Sequence, residues 1–210
     1  LKKNVFITTA FKDGLFEVQD ASSQKIGELL DVKEGMRVVD VCAGAGGKTL
    51  HLAALMKNKG QIIALEIYEW KLAELKRRAK RAGAHNIETR FIDDNKVIKR
   101  LHEKADRLLI DSPCSGLGVL KRNPDSKWKI DQAFLDRIKK EQQQILQDYS
   151  KIIKVGGKMI YATCSILPSE NREQVDLFLN NNANYALIDE KKIMPSQGYD
   201  GFYMALIERK

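Results

Sequence analysis

The chain contains few of the residues that mark secreted, membrane or zinc-binding proteins. Its 210 residues include three cysteines and three histidines, which are widely separated. An odd number of isolated cysteines excludes a disulfide framework and supplies no close pair of zinc ligands, so we expect free thiols in a reducing compartment and no metal. No apolar run approaches the length of a membrane span, and the chain opens without a secretory signal. We therefore expect a soluble, cytoplasmic protein with no membrane partner.

The length and the charge of the chain suit one basic globular domain. With 43% hydrophobic and 30% charged residues, it can build a single core, and we expect a monomer. Lysine and arginine number 36 against 28 aspartates and glutamates, and the net charge of +8 favours a polyanionic partner such as nucleic acid. Because the chain begins at Leu1 rather than at methionine, we expect a fragment that lacks an upstream region.

Strand-like apolar runs alternate with helix-length patterns along the chain. We predict strands over residues 37–41, 61–65, 87–92, 107–110, 158–163, 186–189 and 202–207. We predict helices from about residue 48 and over 68–82, 131–153 and 169–180. This alternation indicates an α/β fold in which helices cover both faces of a mostly parallel sheet. In such folds ligands bind beyond the carboxyl ends of the strands, where every unusual loop of this chain lies.

A glycine-rich loop follows the first predicted strand and runs from Asp40 to Thr49 with the sequence DVCAGAGGKT. It is not a phosphate-binding P-loop, because Cys42 occupies the position of the required leading glycine. It is an incomplete dinucleotide fingerprint, because Thr49 stands where the third glycine belongs, and an NAD-dependent oxidoreductase is therefore the weakest alternative. A glycine-rich turn into a helix still lets backbone N–H groups approach a ligand and hold a carboxylate.

Two acidic residues lie at the ends of the next predicted strands. Glu66 suits the hydroxyls of a ribose, and Asp93 suits the exocyclic amine of an adenine. An amino acid held by the glycine-rich loop, a ribose and an adenine together describe S-adenosylmethionine. The predicted cofactor-binding residues are Cys42, Ala43, Gly44, Ala45, Gly46, Gly47, Lys48, Glu66, Asp93 and Asp111.

Two cysteines occupy matching settings, each directly after a predicted buried strand. Cys114 lies in the segment 111–116, DSPCSG, and Cys164 lies in the segment 161–165, YATCS. A thiolate is the protein nucleophile best suited to add to an electron-poor ring carbon, and a second thiol nearby could handle the proton that must then leave. The pair therefore indicates covalent chemistry on a nucleobase. Cys42 is better explained as a small buried apolar residue.

A basic segment, residues 121–129 with the sequence KRNPDSKWK, follows Cys114. Its side chains would lie beside any chemistry at that thiol, as a surface that contacts phosphates and stacks on bases would. The predicted nucleic-acid-contacting residues are Lys121, Arg122, Lys127 and Trp128. Trp128 fits packing or base contact equally well, whereas we expect Trp70, on a predicted helix, to pack in the interior.

These motifs together resemble the Nop/Sun family of RNA (cytosine-5)-methyltransferases, whose bacterial members modify 16S ribosomal RNA. The resemblance is carried, in the family's order, by the segments 14–24, 40–49, 111–118, 122–125, 161–165, 170–171 and 200–205. The family's glycine-rich loop commonly reads Ala-Pro-Gly-Gly-Lys, and this chain has Gly44-Ala45 before Gly46-Gly47.

The resemblance implies a fold, a domain division and an activity. The fold would be the Rossmann-like class I fold of S-adenosylmethionine-dependent methyltransferases, with a mostly parallel seven-stranded sheet. An N-terminal family motif segment over residues 1–30 would pack on a methyltransferase domain over 31–210, with an upstream RNA-binding region absent. The activity would be S-adenosylmethionine-dependent methyl transfer to carbon 5 of cytosine in RNA through a covalent adduct. Its first substrate would be 16S ribosomal RNA, with transfer RNA second.

The resemblance also implies roles for four side chains. Cys164 would attack carbon 6 of the cytosine, and Cys114 would assist removal of the carbon 5 proton and release of the product. Asp111 would bind the edge of the base or the methionine end of the cofactor. Lys48 would supply positive charge near the thiolate or orient the base.

Two further functions remain open. A DNA cytosine-5 methyltransferase would use Cys114 as its nucleophile and Glu170 to hold the base edge, and it would not need Cys164. A non-catalytic RNA assembly factor would retain the fold as a scaffold and would need neither thiol. The presence of both thiols in their motifs favours the RNA methyltransferase.

Overall fold

Helices and strands alternate along most of the chain, as the sequence predicts. A computed structural model describes residues 4–210, so residues 1–3 of the predicted N-terminal segment lie outside the described residues. The strands are β1 Arg37–Asp40, β2 Gln61–Glu66, β3 Ile87–Phe91, β4 Ala105–Asp111, β5 Ile153–Thr163, β6 Tyr185–Ile193 and β7 Phe202–Arg209. The α-helices are α1 Thr9–Lys12, α2 Ala21–Leu30, α3 Gly47–Leu55, α4 Glu69–Arg81, α5 Asn95–Lys99, α6 Gln132–Tyr149 and α7 Arg172–Asn181.

The strands form one seven-stranded sheet in the order β3-β2-β1-β4-β5-β7-β6. Strands β1 to β5 pair in parallel, and β7 runs antiparallel between β5 and β6. The prediction of a mostly parallel seven-stranded sheet is confirmed. The chain order reverses at β1, which lies between β2 and β4, and a crevice for ligands opens at the carboxyl ends of strands at such a point.

Both faces of the sheet are buried. Because the core holds the strands in place, it also fixes the position of their carboxyl ends. In β4, Leu108 and Ile110 join one apolar cluster, and Leu109 joins the other. Helix α2 covers the second cluster with Ile26 and Leu30, each 0% exposed. Truncating a fully buried leucine to alanine costs about 2–5 kcal/mol. The strands that carry the predicted site are therefore anchored by the core.

Three predicted elements differ by several residues from the observed ones. The helix predicted over 131–153 ends at Tyr149, and the strand predicted over 158–163 is longer, because β5 begins at Ile153 after a 3-10 turn over Ser150–Ile152. Ile152 and Ile153 are both buried and so continue the apolar spacing of the helix, which hides the break in the sequence pattern. The strand predicted over 186–189 extends over Tyr185–Ile193, because this edge strand pairs with β7 along its length while its outer face is exposed.

The N-terminal segment contacts the rest of the chain through α4 and the sheet. Glu17 pairs with Arg78 at 3.1 Å and with Arg81, and the Arg81 guanidinium lies over the ring of Phe11. Asp20 caps α2 by accepting the backbone N–H of Ser22 at 2.9 Å.

No helix within residues 4–210 has the length and apolar content to cross a membrane.

Candidate active site

Two cysteine-bearing loops meet at the carboxyl edge of the sheet. Strands β4 and β5 are parallel neighbours, with Asp111 opposite Ala162, so the loops that leave them run side by side. Cys114 and Cys164, 50 positions apart in the chain, have their sulfurs 3.2 Å apart. Both are free thiols. The arrangement can present two thiols to adjacent atoms of one planar ring.

The two thiols differ in pKa. A hydrogen bond from Cys114 lowers the pKa of the Cys164 thiol, although burial and the charge of Asp111 oppose this, and the charge of Lys48 adds to the lowering. The same hydrogen bond, together with burial, raises the pKa of Cys114 well above its ordinary value. Cys164 is therefore the thiol that ionises first, as a nucleophile must.

An ion pair lies beside the thiols. The ammonium of Lys48, in the first turn of α3, is 2.6 Å from a carboxylate oxygen of Asp111 at the end of β4. Burial lowers the pKa of Lys48, but the charge of Asp111 and the hydrogen bond to it outweigh burial and raise the pKa overall. Lys48 thus stays protonated, with its nitrogen 5.3 Å from the centre of the Phe202 ring.

The thiols and the ion pair line one cleft of about 520 Å³. Its walls include Lys48, Asp111, Cys114, Cys164 and Phe202. This volume falls within the range of about 300–1,000 Å³ that small-molecule sites occupy. A flat base could enter the cleft and meet both sulfurs and the ion pair.

A second cavity, of about 410 Å³, adjoins the cleft and shares Asp111 and Pro113 with it. Gly44, Glu66 and Tyr149 are among its other lining residues. The buried carboxylate of Glu66 accepts the backbone N–H of Gly44 at 2.9 Å, which joins the end of β2 to the glycine-rich loop. Two cavities of ligand size therefore meet at one carboxylate.

The glycine-rich loop borders a third, smaller cavity of about 230 Å³, whose lining includes Asp40, Cys42, Ala43, Gly44, Ala45, Gly47, Lys48 and Asp111. Gly46 has φ +87°, and a Cβ there would lie 2.5 Å from the Cγ of Leu75, so the loop needs glycine to pack on α4. Burial raises the pKa of the Cys42 thiol well above its ordinary value, so this thiol stays protonated.

Asp40 is the buried acid of this loop. One oxygen accepts the hydroxyl of Thr49 at 2.7 Å, and the other has no hydrogen-bond partner within residues 4–210. Burial raises the pKa of Asp40 to about 7. The free oxygen of a carboxylate beside a cavity is suited to accept a donor group from a ligand.

Two predicted cofactor residues do not line these cavities. Asp93 is exposed beyond β3, and its carboxylate accepts the N–H of the next residue at 2.8 Å. Gly46 lines none of them either, whereas the other predicted cofactor residues from Cys42 to Lys48, with Glu66 and Asp111, line these cavities. Within residues 4–210, no group of three or more histidine, cysteine, aspartate or glutamate side chains could hold a metal ion.

The basic segment reaches the cleft through Arg122. This residue lines the cleft and pairs with the buried carboxylate of Asp200 at 2.6 Å. The other three predicted contact residues, Lys121, Lys127 and Trp128, are exposed. Trp128 is 80% exposed, which excludes packing in the interior and leaves its ring available to a base.

Sequence reasoning missed the polar support beneath the two thiol loops. Glu170 is 0% exposed and accepts hydrogen bonds from Ser115, Ser165 and Gln142. The signal available in the sequence was Gln142, a polar residue at an inward position of α6, four residues before the buried Leu146. A glutamine on an apolar helix face indicates a buried partner.

The structure disfavours one alternative role, and one prediction about a single residue is wrong. The DNA-type alternative needs Glu170 at the edge of a bound base, but Glu170 is fully buried and does not line the cleft. Trp70 does not pack in the interior, because it is 68% exposed on α4, whose inward positions are Leu72 and Leu75.

The chain is similar to known ribosomal RNA methyltransferases. The family model for 16S rRNA methyltransferase RsmB/F matches residues 28–208. Ribosomal RNA small subunit methyltransferase B of Proteus mirabilis strain HI4320 is 35% identical over 210 residues, which cover 99% of this chain and 49% of that protein.

Solved structures share the fold. The crystal structure of PH0851 has a TM-score of 0.95 at 32% identity and covers 99% of this chain and 50% of its own. NSun6 from Pyrococcus horikoshii, solved with SFG, has a TM-score of 0.89 at 26% identity and covers 99% of this chain and 56% of its own. The prediction of a Rossmann-like class I methyltransferase fold is confirmed. The chain spans about half the length of these relatives.

Proposed function

The chain belongs to the 16S rRNA methyltransferase RsmB/F family, as its motifs indicated, and we propose that it is an RNA cytosine-5 methyltransferase. Its substrate would be 16S ribosomal RNA, in agreement with the name of the family, and transfer RNA is the second candidate. The observation that carries the proposal is a pair of thiols 3.2 Å apart in a cleft beside a second, cofactor-sized cavity.

The chemistry of cytosine explains why a thiolate is needed. Carbon 5 is not nucleophilic enough to take a methyl group unaided, so the ring must first be activated. The Cys164 thiolate would add to carbon 6, form a carbon–sulfur bond and move electron density to carbon 5. The lowered pKa of Cys164 supports this role, because the thiolate is the reactive form.

Lys48 and Asp111 would hold the polar edge of the base. During the attack, negative charge moves into the ring, and a fixed donor nearby stabilises it. The Lys48 ammonium can donate to the ring, and the Asp111 carboxylate, 2.6 Å away, can accept the exocyclic amine. The pair would also keep the base in one orientation above the thiols.

The cavities beside the cleft fit the predicted cofactor. S-adenosylmethionine supplies an electrophilic methyl group when bound. Glu66 would accept its ribose hydroxyls, and the Asp40 oxygen without a partner in residues 4–210 would accept its ammonium group. Asp93 remains the predicted partner of its adenine amine. The related NSun6 was solved with SFG, an analogue of this cofactor.

Cys114 would complete the reaction. After transfer, carbon 5 carries both the methyl group and a proton, which must leave before the carbon–sulfur bond can break. While Cys164 is a thiolate, its hydrogen bond and charge keep Cys114 protonated. Once Cys164 is bonded to carbon 6, its hydrogen bond and charge no longer raise the pKa of Cys114, although burial still does, so Cys114 would lose its proton to solvent more readily and then accept the proton from carbon 5. The bond to Cys164 then breaks and regenerates the thiolate.

The basic segment would hold RNA beside the cleft. Lys121, Arg122, Lys127 and Trp128 offer positive charge and an exposed ring, which suit phosphate contact and base stacking. The target cytosine would be splayed out of an unpaired segment to reach the thiols. We include in this proposal a monomer in the cytoplasm and the division into a segment over 1–30 and a domain over 31–210.

Methyl transfer from tritiated S-adenosylmethionine tests the proposal. The chain is incubated with unmodified 16S ribosomal RNA, with transfer RNA or with DNA, and each product is digested to nucleosides. We expect label in 5-methylcytidine from 16S ribosomal RNA. Label in transfer RNA instead would make transfer RNA the substrate in place of 16S ribosomal RNA. Label in DNA, or at an atom other than carbon 5, would contradict the proposal.

A further inference from the structure

We propose that Glu170 is a positioning residue that holds the loops of Cys114 and Cys164 at reacting distance. Its carboxylate joins the two serines that directly follow these cysteines. The kinetic part of this inference rests on the proposed function, whereas the geometric part concerns only the two sulfurs.

The carboxylate of Glu170 connects four donors. One oxygen accepts the backbone N–H of Ser115 at 2.7 Å and the side-chain amide of Gln142 at 3.2 Å. The other oxygen accepts the hydroxyls of Ser115, at 2.5 Å, and of Ser165. The two hydroxyl oxygens are 3.2 Å apart. Since each serine follows its cysteine directly, one buried group fixes the backbone beside both thiols.

Glu170 is itself fixed to the sheet. Its backbone carbonyl accepts the hydroxyl of Tyr161, in β5, at 2.7 Å. The next residue, Asn171, accepts the hydroxyl of Thr163 at 2.5 Å and donates to the carbonyl of Ser165 at 3.0 Å. Tyr161, Thr163 and Glu170 are all 0% exposed. The support therefore transmits the fixed position of β5 to both loops.

A carboxylate is the side chain that this junction needs. All four facing groups can donate, and a carboxylate offers two acceptor oxygens and no donor. Alanine would leave the Ser115 N–H and the Gln142 amide without this partner in the interior. Glutamine would keep the shape, with its NH₂ group towards the two hydroxyls, which can reverse their roles and accept. Glu170→Ala should therefore remove the hydrogen bonds that join the two loops, and Glu170→Gln should keep most of them.

Glu170 does not touch the substrate. It is fully buried and does not line the cleft, so any effect on the reaction must pass through the thiols. Two quantities are therefore diagnostic: the rate at which the two sulfurs join, and the separate changes in kcat and KM.

Diamide oxidation measures the thiol pair without RNA or cofactor. Diamide takes up two protons and two electrons as the two thiols become a disulfide. Wild type, Glu170→Ala and Glu170→Gln are compared with Glu173→Ala, which removes an exposed glutamate of α7, after circular dichroism has established that each is folded. We expect the Cys114–Cys164 disulfide to form at least about tenfold more slowly in Glu170→Ala alone, because intramolecular rates depend steeply on orientation.

Equal oxidation rates in folded Glu170→Ala and wild type would overturn the proposal. If Glu170→Ala does not fold, Ser165→Ala takes its place, because it removes one of the donors between the loops. Slower oxidation is again expected for this variant, and an unchanged rate would count against the proposal.

Methyl transfer supplies the second readout. We expect kcat for Glu170→Ala to fall about 100-fold while KM for RNA stays within about twofold, because misplaced reacting atoms slow chemistry without weakening binding. Glu170→Gln should recover most of the rate. A raised KM with unchanged kcat would overturn the positioning role. A wild type that transfers no methyl group would refute the proposed function, while the diamide rates would still decide the role of Glu170.

Discussion

The thiol region, formed by Cys114, Cys164 and the residues around them, is held far more tightly than the basic segment over 121–129. Beneath the thiols, Glu170 is 0% exposed and joins both loops to β5. In the basic segment, Trp128 is 80% exposed, and Arg122 ties the segment to Asp200. Covalent chemistry requires reacting atoms in near-contact geometry, whereas phosphate contact and stacking tolerate adjustment. Substitutions should therefore change kcat in the first region and RNA affinity in the second.

Loss of the Cys164 sulfur should have the largest effect. Cys164→Ala removes the nucleophile, and we expect kcat to fall by at least about 10⁴-fold. Cys164→Ser, which keeps the shape of the side chain, should be inactive as well. Tritium transfer to RNA measures both, with Glu173→Ala as the control. Residual turnover near the wild-type rate would show that another group attacks the base.

Asp40 tests the cost of burial in the same region. Its pKa is about 7 when folded against 3.8 for an ordinary aspartate, so the folded state holds the proton more tightly. The protonated carboxyl of Asp40 therefore stabilises the folded state fully below pH 3.8. This contribution to the free energy of unfolding is lost as the pH rises to about 7, a change of about 4 kcal/mol. We expect Asp40→Asn to stabilise the protein more at about pH 8 than at about pH 5 in urea unfolding.

The control for this prediction is Asp189→Asn, which changes an exposed aspartate of β6 and should show no such trend. A gain from Asp40→Asn that is equal at both pH values would mean that the carboxyl is ionised throughout.

Lys48 should have a smaller but distinctive effect. Lys48→Met removes a cation that lowers the pKa of Cys164, so the thiolate would form only at higher pH. We expect kcat to fall about 100-fold, as for loss of one electrostatic stabiliser, and the acidic limb of the pH profile of kcat/KM to move upward. An unchanged pH profile would show that Lys48 does not lower the pKa of Cys164. Lys25→Met, on an exposed position of α2, is the control.

The smallest effects should come from the basic segment. Trp128→Ala should raise KM for RNA about tenfold, in line with a stacking energy of about 1–3 kcal/mol, and leave kcat unchanged. Lys127→Ala should raise KM for RNA by a smaller factor. It should also make RNA binding less sensitive to salt, by the amount expected for the loss of about one phosphate contact. Lys191→Ala, an exposed lysine of β6, serves as control. A fall in kcat at Trp128 would contradict the division between the two regions.

The sequence predicts features that depend on a local residue pattern or on motifs at the ends of neighbouring strands. The sheet, the glycine-rich loop and the meeting of Cys114 with Cys164 follow from alternating elements and from motifs at neighbouring strand ends. Gln142 signals a buried polar partner, but the sequence does not identify that partner as Glu170, because the hydrogen bonds of Glu170 reach Ser115 and α6 across 55 and 28 positions of the chain. The exposure of Trp70 was missed because an aromatic residue on an amphipathic helix usually faces the core.

A denaturing gel of the covalent protein–RNA adduct shows which of the two thiols attacks the base. Cys114→Ala, Cys164→Ala and the double variant Cys114→Ala/Cys164→Ala are each incubated with S-adenosylmethionine and unmodified 16S ribosomal RNA. If Cys164 attacks and Cys114 assists release, Cys114→Ala accumulates a shifted band that the double variant lacks. A band in Cys164→Ala but not in Cys114→Ala would contradict the account, because it would make Cys114 the nucleophile.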